Sequence, residues 1–324
     1  MSYRTQYQDS RSCRIDKFLA QQTEYSRQEV KDMIDTSLVF CNKQQVRKPS
    51  YQISQGDEVE IDIARWKQKE GGQYSPPDID CISIIAERED FLVIHKPSGL
   101  LVHKTNNPES VSLVEYLVAK YPEIQGIQDD MSKRHDGNWQ PRHGIVHRLD
   151  KDTSGIMLIA RTWEGFYGLK YLFQERLVHK TYYAVVRGVV KSDHGHITYP
   201  IARSRTDHTK RRLITDPEER AQTQRHAHSE YWVEQRFADS TLVKVRLHTG
   251  RTHQIRLHLK GIGHPVLGDT QYGGKLERQT LHRQMLHAYS LDFRYQDHDY
   301  SFSCPLAQDM QEIIAKEKKN PQLS

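Results

Sequence analysis

The sequence predicts an α+β or mixed α/β protein made of two unequal domains. In residues 81–318, apolar segments such as "IMLIA" and "TYYAVVRG" have the length and composition of strands, and they alternate with amphipathic segments and polar loops. Paired glycines and paired prolines in residues 64–80 predict a linker before this region. With 324 residues, the chain is long enough for one large domain and one small domain.

Residues 14–63 are predicted to form the small domain. Two short amphipathic helices come first, and Ser26 with Glu29 has the spacing of a capping box at the start of the second helix. The segments "LVF" and "VEIDI" predict strands. Basic side chains are expected on the exposed helix faces: Arg14, Lys17, Arg27 and Lys31.

Positive charge is concentrated in two stretches of an otherwise nearly balanced chain. The formal net charge is only +5, but Val243–Lys260 holds five Lys or Arg and no acidic residue. Residues 203–212 hold five bases and one Asp. Each stretch by itself is better explained as a solvated basic face, whereas the two together favour contact with a polyanion such as a nucleic acid.

Several classes of protein are disfavoured by composition. No apolar run approaches the roughly 20 residues of a membrane span, and the N-terminus lacks the apolar core of a secretory signal, so we expect a cytoplasmic protein without a membrane partner. The four cysteines are far apart and contain no C-x-x-C pair, which predicts reduced thiols. Histidine pairs such as His194/His196 lack a carboxylate or cysteine at a convincing third-ligand spacing, so no metal site is expected.

The loop "HRLDKDTSG" places acidic, basic and hydroxyl groups between apolar segments. A carboxylate is ionised at neutral pH, so Asp150 can serve as a base, a nucleophile or a metal ligand. An Asp that shapes the loop through an Asx-turn is the alternative.

Two other segments supply side chains that fit a reactive carboxylate. Arg256 lies in a predicted helix between polar neighbours, where it can hold a carboxylate through two bonds or face solvent or phosphate. Tyr182 lies in a predicted strand, where it can stack on a nucleobase or fill the core.

Taken together, these motifs resemble the pseudouridine synthases that act on large-subunit ribosomal RNA. The similarity rests on "HRLDKDTSG", "KTYYAVVRG" and "TGRTHQIRLHL", and "HKPSGLLVH", "PVLGDTQYGG" and "LHAYSLDF" extend it. Residues 14–63 are similar to an S4-type RNA-binding domain, and the subgroup most alike modifies the helix 69 loop of 23S rRNA. The resemblance implies an α+β fold whose catalytic domain contains a mixed, mainly antiparallel sheet flanked by helices and loops.

The resemblance also implies roles for individual residues. Asp150, Tyr182 and Arg256 match the catalytic positions of the family. Arg148 is expected to fill the space that a flipped base leaves. The other residues expected to contact substrate or RNA are Lys96, His147, Arg251, His253, Lys17, Arg27 and Lys31.

The implied reaction breaks the C1′–N1 bond of a uridine and forms a C1′–C5 bond in the same nucleotide. It requires no redox cofactor, group donor or metal, so no cofactor is expected, and the partner is 23S rRNA or a large-subunit precursor without an obligate protein partner. Asp150 either adds to C1′ or removes a proton from C2′; the motifs are compatible with both routes. Action on another rRNA loop or on tRNA, and an RNA-binding role in ribosome assembly, are the alternative functions.

Overall fold

The computed structural model describes residues 2–70 apart from 24, 26 and 36, residues 82–103, 112–127, 142–222 apart from 205, 208 and 209, residues 225–273, and residues 281–319. The predicted cap at Ser26 and residues 71–80 of the predicted linker lie outside this description. The chain divides into two compact units, residues 1–75 and 76–324.

The first unit contains a small four-stranded sheet and three helices. Its elements in chain order are β1 (Tyr3–Gln6), β2 (Cys13–Arg14), α1 (Ile15–Gln22), α2 (Arg27–Asp35), β3 (Val39–Cys41), β4 (Gln44–Gln45), β5 (Gln52–Ile53), β6 (Glu58–Ile61) and α3 (Ile63–Glu70). The sheet has the order β1-β6-β3-β4, and β2 pairs separately with β5. The apolar faces of α1 and α2 contribute to one buried cluster with residues of β3 and β6.

The compact first unit extends beyond the predicted range of 14–63 at both ends. At the N-terminal side, β1 pairs with β6. At the other side, α3 covers part of the segment predicted as a linker, and Trp66 of this helix is buried in the cluster of the unit. A four-residue polar strand such as β1 is difficult to predict because only its pairing partner shows that it belongs to a sheet.

In its described residues, the second unit contains a nine-stranded sheet and five helices. Its elements are β7 (Ser83–Glu87), β8 (Phe91–Lys96), α4 (Leu113–Lys120), β9 (Ser154–Ala160), α5 (Trp163–Gln174), β10 (His179–Arg187), β11 (His194–Ile197), β12 (Ile201–Arg203), β13 (Arg211–Leu213), α6 (Pro217–Gln222), β14 (Ser229–Arg236), β15 (Ser240–Leu247), α7 (Gln254–Gly261), β16 (Leu286–Tyr295), β17 (His298–Ser303) and α8 (Gln308–Lys318). A 3-10 turn covers Pro122–Gly126.

The sheet has the order β11-β14-β15-β10-β16-β9-β8-β7, with β17 paired to β16. Its pairs are antiparallel except for β16 with β9, which run parallel. This arrangement confirms the predicted α+β class with a mainly antiparallel sheet. Strand β9 is buried along its whole length, as expected for a central strand with helix α5 packed on it.

Among the described residues, no helix combines the length and the apolar character needed to cross a membrane.

Candidate active site

The "HRLD" loop leads directly into the central strand β9. Gly155, the second residue of β9, has a φ of +124°, and a Cβ at this position would lie 2.2 Å from the carbonyl oxygen of Ala288 in β16. Only glycine accommodates both the backbone angle and this close approach. The parallel contact between β9 and β16 therefore determines where the loop ends and where Asp150 is presented.

Lys96, at the end of β8, holds this loop through a hydrogen bond to its backbone. Its side chain is completely buried, and Nζ donates hydrogen bonds to the carbonyl oxygens of Pro97, Leu100 and Lys151 at 2.8–2.9 Å. Burial lowers the pKa of Lys96 to about 7. Lys151 follows Asp150 in the chain, so Lys96 holds the backbone that carries the carboxylate.

The other side of the loop is held by residues that precede β16. The guanidinium of Arg283 donates to the carbonyl oxygen of Asp152, and the amide of Gln284 donates to the hydroxyl of Thr153. Arg283 is itself held by two hydrogen bonds, 2.6 and 2.7 Å long, to the carboxylate of Asp309 in α8. The loop is thus supported by side chains from distant segments of the chain.

Asp150 meets Arg256 of helix α7. Nη1 of Arg256 donates to Oδ2 of Asp150 at 2.9 Å, and the Asp150 side chain remains 21% exposed. Among the described residues, its carboxylate accepts from no amide of its own loop, and the loop turn is made by the Thr153 N–H and the Asp150 carbonyl. The arginine therefore orients the carboxylate, and the Asx-turn alternative does not apply.

Asp269, which the sequence reasoning missed, is the main partner of Arg256. The two side chains form bonds of 2.7 Å (Nε to Oδ2) and 2.9 Å (Nη2 to Oδ1), and both are almost completely buried. Burial would raise the pKa of Asp269, but bonds from Arg256 and from the N–H groups of Gln271 and Tyr272 hold it below its usual value. The two-bond pairing predicted for Arg256 is therefore made with Asp269, while Asp150 receives the third bond.

Arg256 is buried, so of the two alternatives that the sequence left open it binds carboxylates and does not face solvent. Burial opposes its charge, but the bonds and charges of Asp269 and Asp150 raise its pKa, so it remains a cation. The ring of Tyr272 lies 4.9 Å from the guanidinium carbon, and Gln271 accepts a further bond at 3.2 Å. A buried arginine is stable only with such partners.

His253 is the third residue at the carboxylate. Its backbone is left-handed, with a φ of 58°, and its Nδ1 lies 2.7 Å from the Tyr272 hydroxyl. Its Nε2 lies 3.8 Å from Oδ1 of Asp150, beyond hydrogen-bond distance. Burial lowers the pKa of His253, which favours a neutral imidazole beside the carboxylate.

Asp150, Tyr182 and Arg256 line one cavity of about 390 Å³. This volume is within the range of small-molecule sites. Tyr182 is 8% exposed, and among the described residues its hydroxyl makes no hydrogen bond. Burial, together with the charge of Asp150, raises its pKa, so the phenol is neutral. The three residues predicted as catalytic thus line one cavity.

Cations surround the same cavity. Arg148 and Arg251, both expected to contact RNA, line it with exposed side chains. Arg176, which follows α5 and is exposed, and Lys180, which is buried in β10, also line the cavity and were not predicted as site residues. Arg176 had no sequence signal of its own, because isolated basic residues near a helix end are common on protein surfaces.

Lys96 and His147, both expected to contact substrate or RNA, make supporting contacts; His147 also lines the cavity, whereas Lys96 does not. Lys96 is completely buried with its three carbonyl partners, so it is not available to a phosphate. The Nε2 of His147 accepts the N–H of Leu158 at 2.9 Å, and its ring stacks on Phe173 at 4.3 Å. Burial lowers the pKa of His147 to about 3, which matches a neutral acceptor. Both residues hold the loop that presents Asp150.

Replacing Lys96 with Met tests this supporting role. We expect the rate of the chemical step to fall roughly ten- to a hundredfold, because the loop carbonyls lose their donor and Asp150 is displaced. RNA affinity and its salt dependence should not change. Single-turnover product formation and filter binding separate the two effects. Lys151→Met, which removes an exposed lysine of the same loop, should leave the rate within about twofold; a parallel loss of RNA affinity in Lys96→Met would contradict the assignment.

The described groups able to hold a metal ion lie outside this cavity. One consists of His95, His287 and Cys304, and the other of His194, His196 and Glu230. In the second group, Glu230 comes from β14 and supplies the carboxylate that was not apparent next to His194 and His196 in the sequence. The carboxylates of Asp150 and Asp269 are instead bound to Arg256.

Comparison with known proteins shows the family to which the chain belongs. The family model of RNA pseudouridylate synthase matches residues 90–260, and the model of the S4 domain matches residues 13–59. An uncharacterized RNA pseudouridine synthase of Aquifex aeolicus is 40% identical over 265 residues, which cover 81% of this chain and 77% of the relative. Ribosomal large subunit pseudouridine synthase D of Yersinia pestis is 34% identical, over 85% and 83% of the two chains.

Among solved structures, human RNA pseudouridylate synthase domain containing 1 has a similar fold. It superposes with a TM-score of 0.58 at 22% identity, over 77% of this chain and all of the human chain. The family match covers just over half of the sequence and includes Asp150, Tyr182 and Arg256. The chain therefore belongs to the RNA pseudouridylate synthase family, and it is an isomerase that acts on uridine in RNA.

Proposed function

We propose that the enzyme converts specific uridines of 23S rRNA to pseudouridine, with Asp150 as the catalytic residue. The observation that carries this assignment is the bond between Asp150 and the buried Arg256, at the edge of a cavity that Tyr182 also lines. Arg256 keeps the carboxylate ionised and oriented, and the exposed part of Asp150 faces the space where a nucleotide fits.

The reaction follows from this arrangement. Asp150 acts on the ribose, either by attack at C1′ or by removal of the C2′ proton, and the C1′–N1 bond breaks. The uracil remains in the cavity against Tyr182, turns, and forms the C1′–C5 bond. The proton on C5 is then released to solvent, and N1 takes up a proton from solvent. Asp150 is regenerated either because its bond to C1′ breaks as C1′–C5 forms or because it returns the proton to C2′. Uridine and pseudouridine have the same composition, so the protein residues suffice for the balance of atoms.

The uridine must leave its stack to reach Asp150. Unstacking costs a few kcal/mol, and less in a loop than in a duplex, which favours a stem-loop substrate. Arg148 lies at the mouth of the cavity beside Asp150, and we assign it to the space that the extruded base leaves. Arg176 and Arg251 are placed to bind the flanking phosphates.

The large ribosomal subunit is proposed as the target because relatives named ribosomal large subunit pseudouridine synthase D align along most of the chain. The basic stretches and the S4 domain agree with an rRNA substrate. We expect at least one pseudouridine of 23S rRNA, in the helix 69 loop, to be missing in a strain that lacks the gene and to return with the wild-type gene. Pseudouridine mapping of rRNA and tRNA provides the measurement, and a loss confined to tRNA would contradict the proposed target.

Substitution of Tyr182 tests its role as a stacking surface. Tyr182→Phe should retain activity within about tenfold, since the hydroxyl has no hydrogen-bond partner among the described residues. Tyr182→Leu should lose about 5- to 150-fold, which corresponds to the 1–3 kcal/mol of a base stacked on an aromatic ring. The measurement is release of tritium from RNA labelled at uridine C5. Equal losses in the two variants would show that the hydroxyl, and not the ring face, carries the effect.

The S4 domain is expected to bind RNA through lysines that are not engaged within the protein. Arg14 and Arg27 both bond the buried Asp16, whereas Lys17 is exposed on α1. Replacing Lys17 and Lys31 with Ala should reduce the slope of log affinity against log salt by about 1.5, because each lost phosphate contact contributes 0.7–0.9. The same double change at the exposed lysines of α8, Lys316 and Lys318, serves as the control and should leave the slope unaltered. An unchanged slope in the first variant would argue against an RNA contact at these lysines.

A further inference from the structure

A cluster of histidines surrounds one carboxylate on the sheet, away from the catalytic cavity. His194 and His196 are two residues apart in β11, so their side chains lie on the same face. In the neighbouring strand, Glu230 is paired with His196, and Trp232 is paired with His194. These residues do not line the cavity that contains Asp150.

From this cluster we infer a binding site for a divalent transition metal ion of the zinc class, with His194, His196 and Glu230 as its ligands.

The distances between the ligand atoms fit such an ion. Nε2 of His194 lies 2.9 Å and Nε2 of His196 lies 3.7 Å from the same oxygen, Oε1 of Glu230, and the three atoms are all within 4.8 Å of one another. With metal–ligand distances of about 2.0–2.2 Å, neighbouring ligand atoms of a tetrahedral site lie about 3.3–3.6 Å apart. Small side-chain rotations therefore bring all three atoms onto one ion.

Additional residues orient these three ligands. Nδ1 of His196 lies 3.1 Å from Nε2 of His228, and Nε2 of His248 lies 3.0 Å from the second oxygen of Glu230. The ring of His194 stacks on Trp232 at 5.1 Å. In metal sites, the second ring nitrogen of a ligating histidine and the remaining carboxylate oxygen are held by such hydrogen bonds, which set the orientation of the ligands.

The local charge and accessibility are also compatible with a cation. Arg246 is the cross-strand neighbour of Glu230, but its guanidinium donates to Nδ1 of His179 at 2.8 Å. The carboxylate of Glu230 is bonded by His194 and His248. The side chains of His194 and His196 are 42% and 50% exposed, so an ion has a direct path to the site. Imidazole and carboxylate ligands suit zinc, cobalt and nickel.

A metal ion at this position connects an edge strand to its sheet. Strand β11 lies at one end of the sheet order and is only four residues long. An ion shared by β11 and β14 adds a cross-link that is present only in the folded protein, so metal binding should stabilise the second unit.

The test uses the full-length chain without an affinity tag, after removal of metal with a chelator. Titration with Zn²⁺ by calorimetry, and with Co²⁺ by visible absorption, should show one equivalent bound. At a free Zn²⁺ concentration of a hundred times Kd, the melting temperature should rise by about 5 °C or more. The double variant His194→Asn, His196→Asn and the single variant Glu230→Gln should each bind Zn²⁺ at least about tenfold more weakly.

Two control variants keep the result interpretable. His298→Asn removes an exposed histidine of β17 and should bind Zn²⁺ as the wild type does. Cys304→Ser removes a thiol of the other histidine-containing group and should also bind normally. Circular dichroism and tritium release establish that each variant is folded. The inference is overturned if wild type does not bind Zn²⁺ at one equivalent, if the His194/His196 variant retains wild-type affinity, or if binding is lost only in Cys304→Ser.

Discussion

Replacing Asp150 with Asn should abolish pseudouridine formation, with a loss of about 10⁴-fold or more in the rate of tritium release from RNA labelled at uridine C5. An amide has almost the shape of the carboxylate but neither attacks C1′ nor removes the C2′ proton. Only one bond of Arg256 is changed, because its two bonds to Asp269 persist. RNA affinity should stay within severalfold of wild type.

The neighbouring acid provides the matched control for this prediction. Asp152→Asn changes a carboxylate in the same loop and keeps the backbone carbonyl that Arg283 binds; the lost charge lies near Lys96 but not on the bond between Arg256 and Asp150. Its activity should remain within severalfold of wild type. Substantial turnover by Asp150→Asn, in a preparation checked for contaminating wild-type enzyme, would refute Asp150 as the catalytic residue.

Replacing Asp269 with Asn should reduce both stability and activity. The buried Arg256 would lose its charged partner, and breaking a buried ion pair from one side costs about 3–5 kcal/mol of the free energy of unfolding. Arg256 would then be free to shift with Asp150, and such displacement costs about 100-fold in rate. Denaturant unfolding and single-turnover kinetics at a temperature where the variant is folded measure the two effects.

Two comparisons sharpen the Asp269 prediction. Gln271→Ala removes one bond of 3.2 Å from the same guanidinium and should lower the free energy of unfolding by about 1 kcal/mol.

The pKa of Asp269 is lowered in the folded protein, so its contribution to stability is complete above the pKa of the unfolded chain, about 4, and is lost as the pH falls toward the folded value. The stability difference between wild type and Asp269→Asn should therefore shrink below pH 4, and a difference that is constant down to pH 2 would contradict the ion pair.

The residues that line the cavity were accessible from the sequence because the relevant patterns are local. Composition and spacing marked the polar loop before "GIMLIA", the strand with Tyr182 and the helix with Arg256 as candidates. The resemblance to a known family then implied their catalytic roles. The same patterns predicted the α+β class, which the antiparallel sheet confirms. That the three side chains meet is a consequence of strand order, which periodicity does not contain.

The supporting residues were misjudged or missed for a related reason. Lys96 was expected to contact substrate or RNA because it lies in a motif of the family resemblance, and only the loop folded over it shows three carbonyl acceptors. Asp269 follows a glycine in a turn, where an aspartate is common without any ionic role. Its importance appears only when a buried arginine is found beside it, since such a cation requires a counter-charge.

The sequence by itself determined the class of fold, the two basic stretches, and the motifs whose resemblance to a known family pointed to three side chains at the cavity, because each depends on residue type and local spacing. Tertiary structure alone decided that Asp269 holds Arg256, that Lys96 and His147 support the loop, and that Glu230 joins two histidines of another strand. These contacts join residues that are distant in the chain, and their energies depend on burial and distance, which exist only once the sheet has formed.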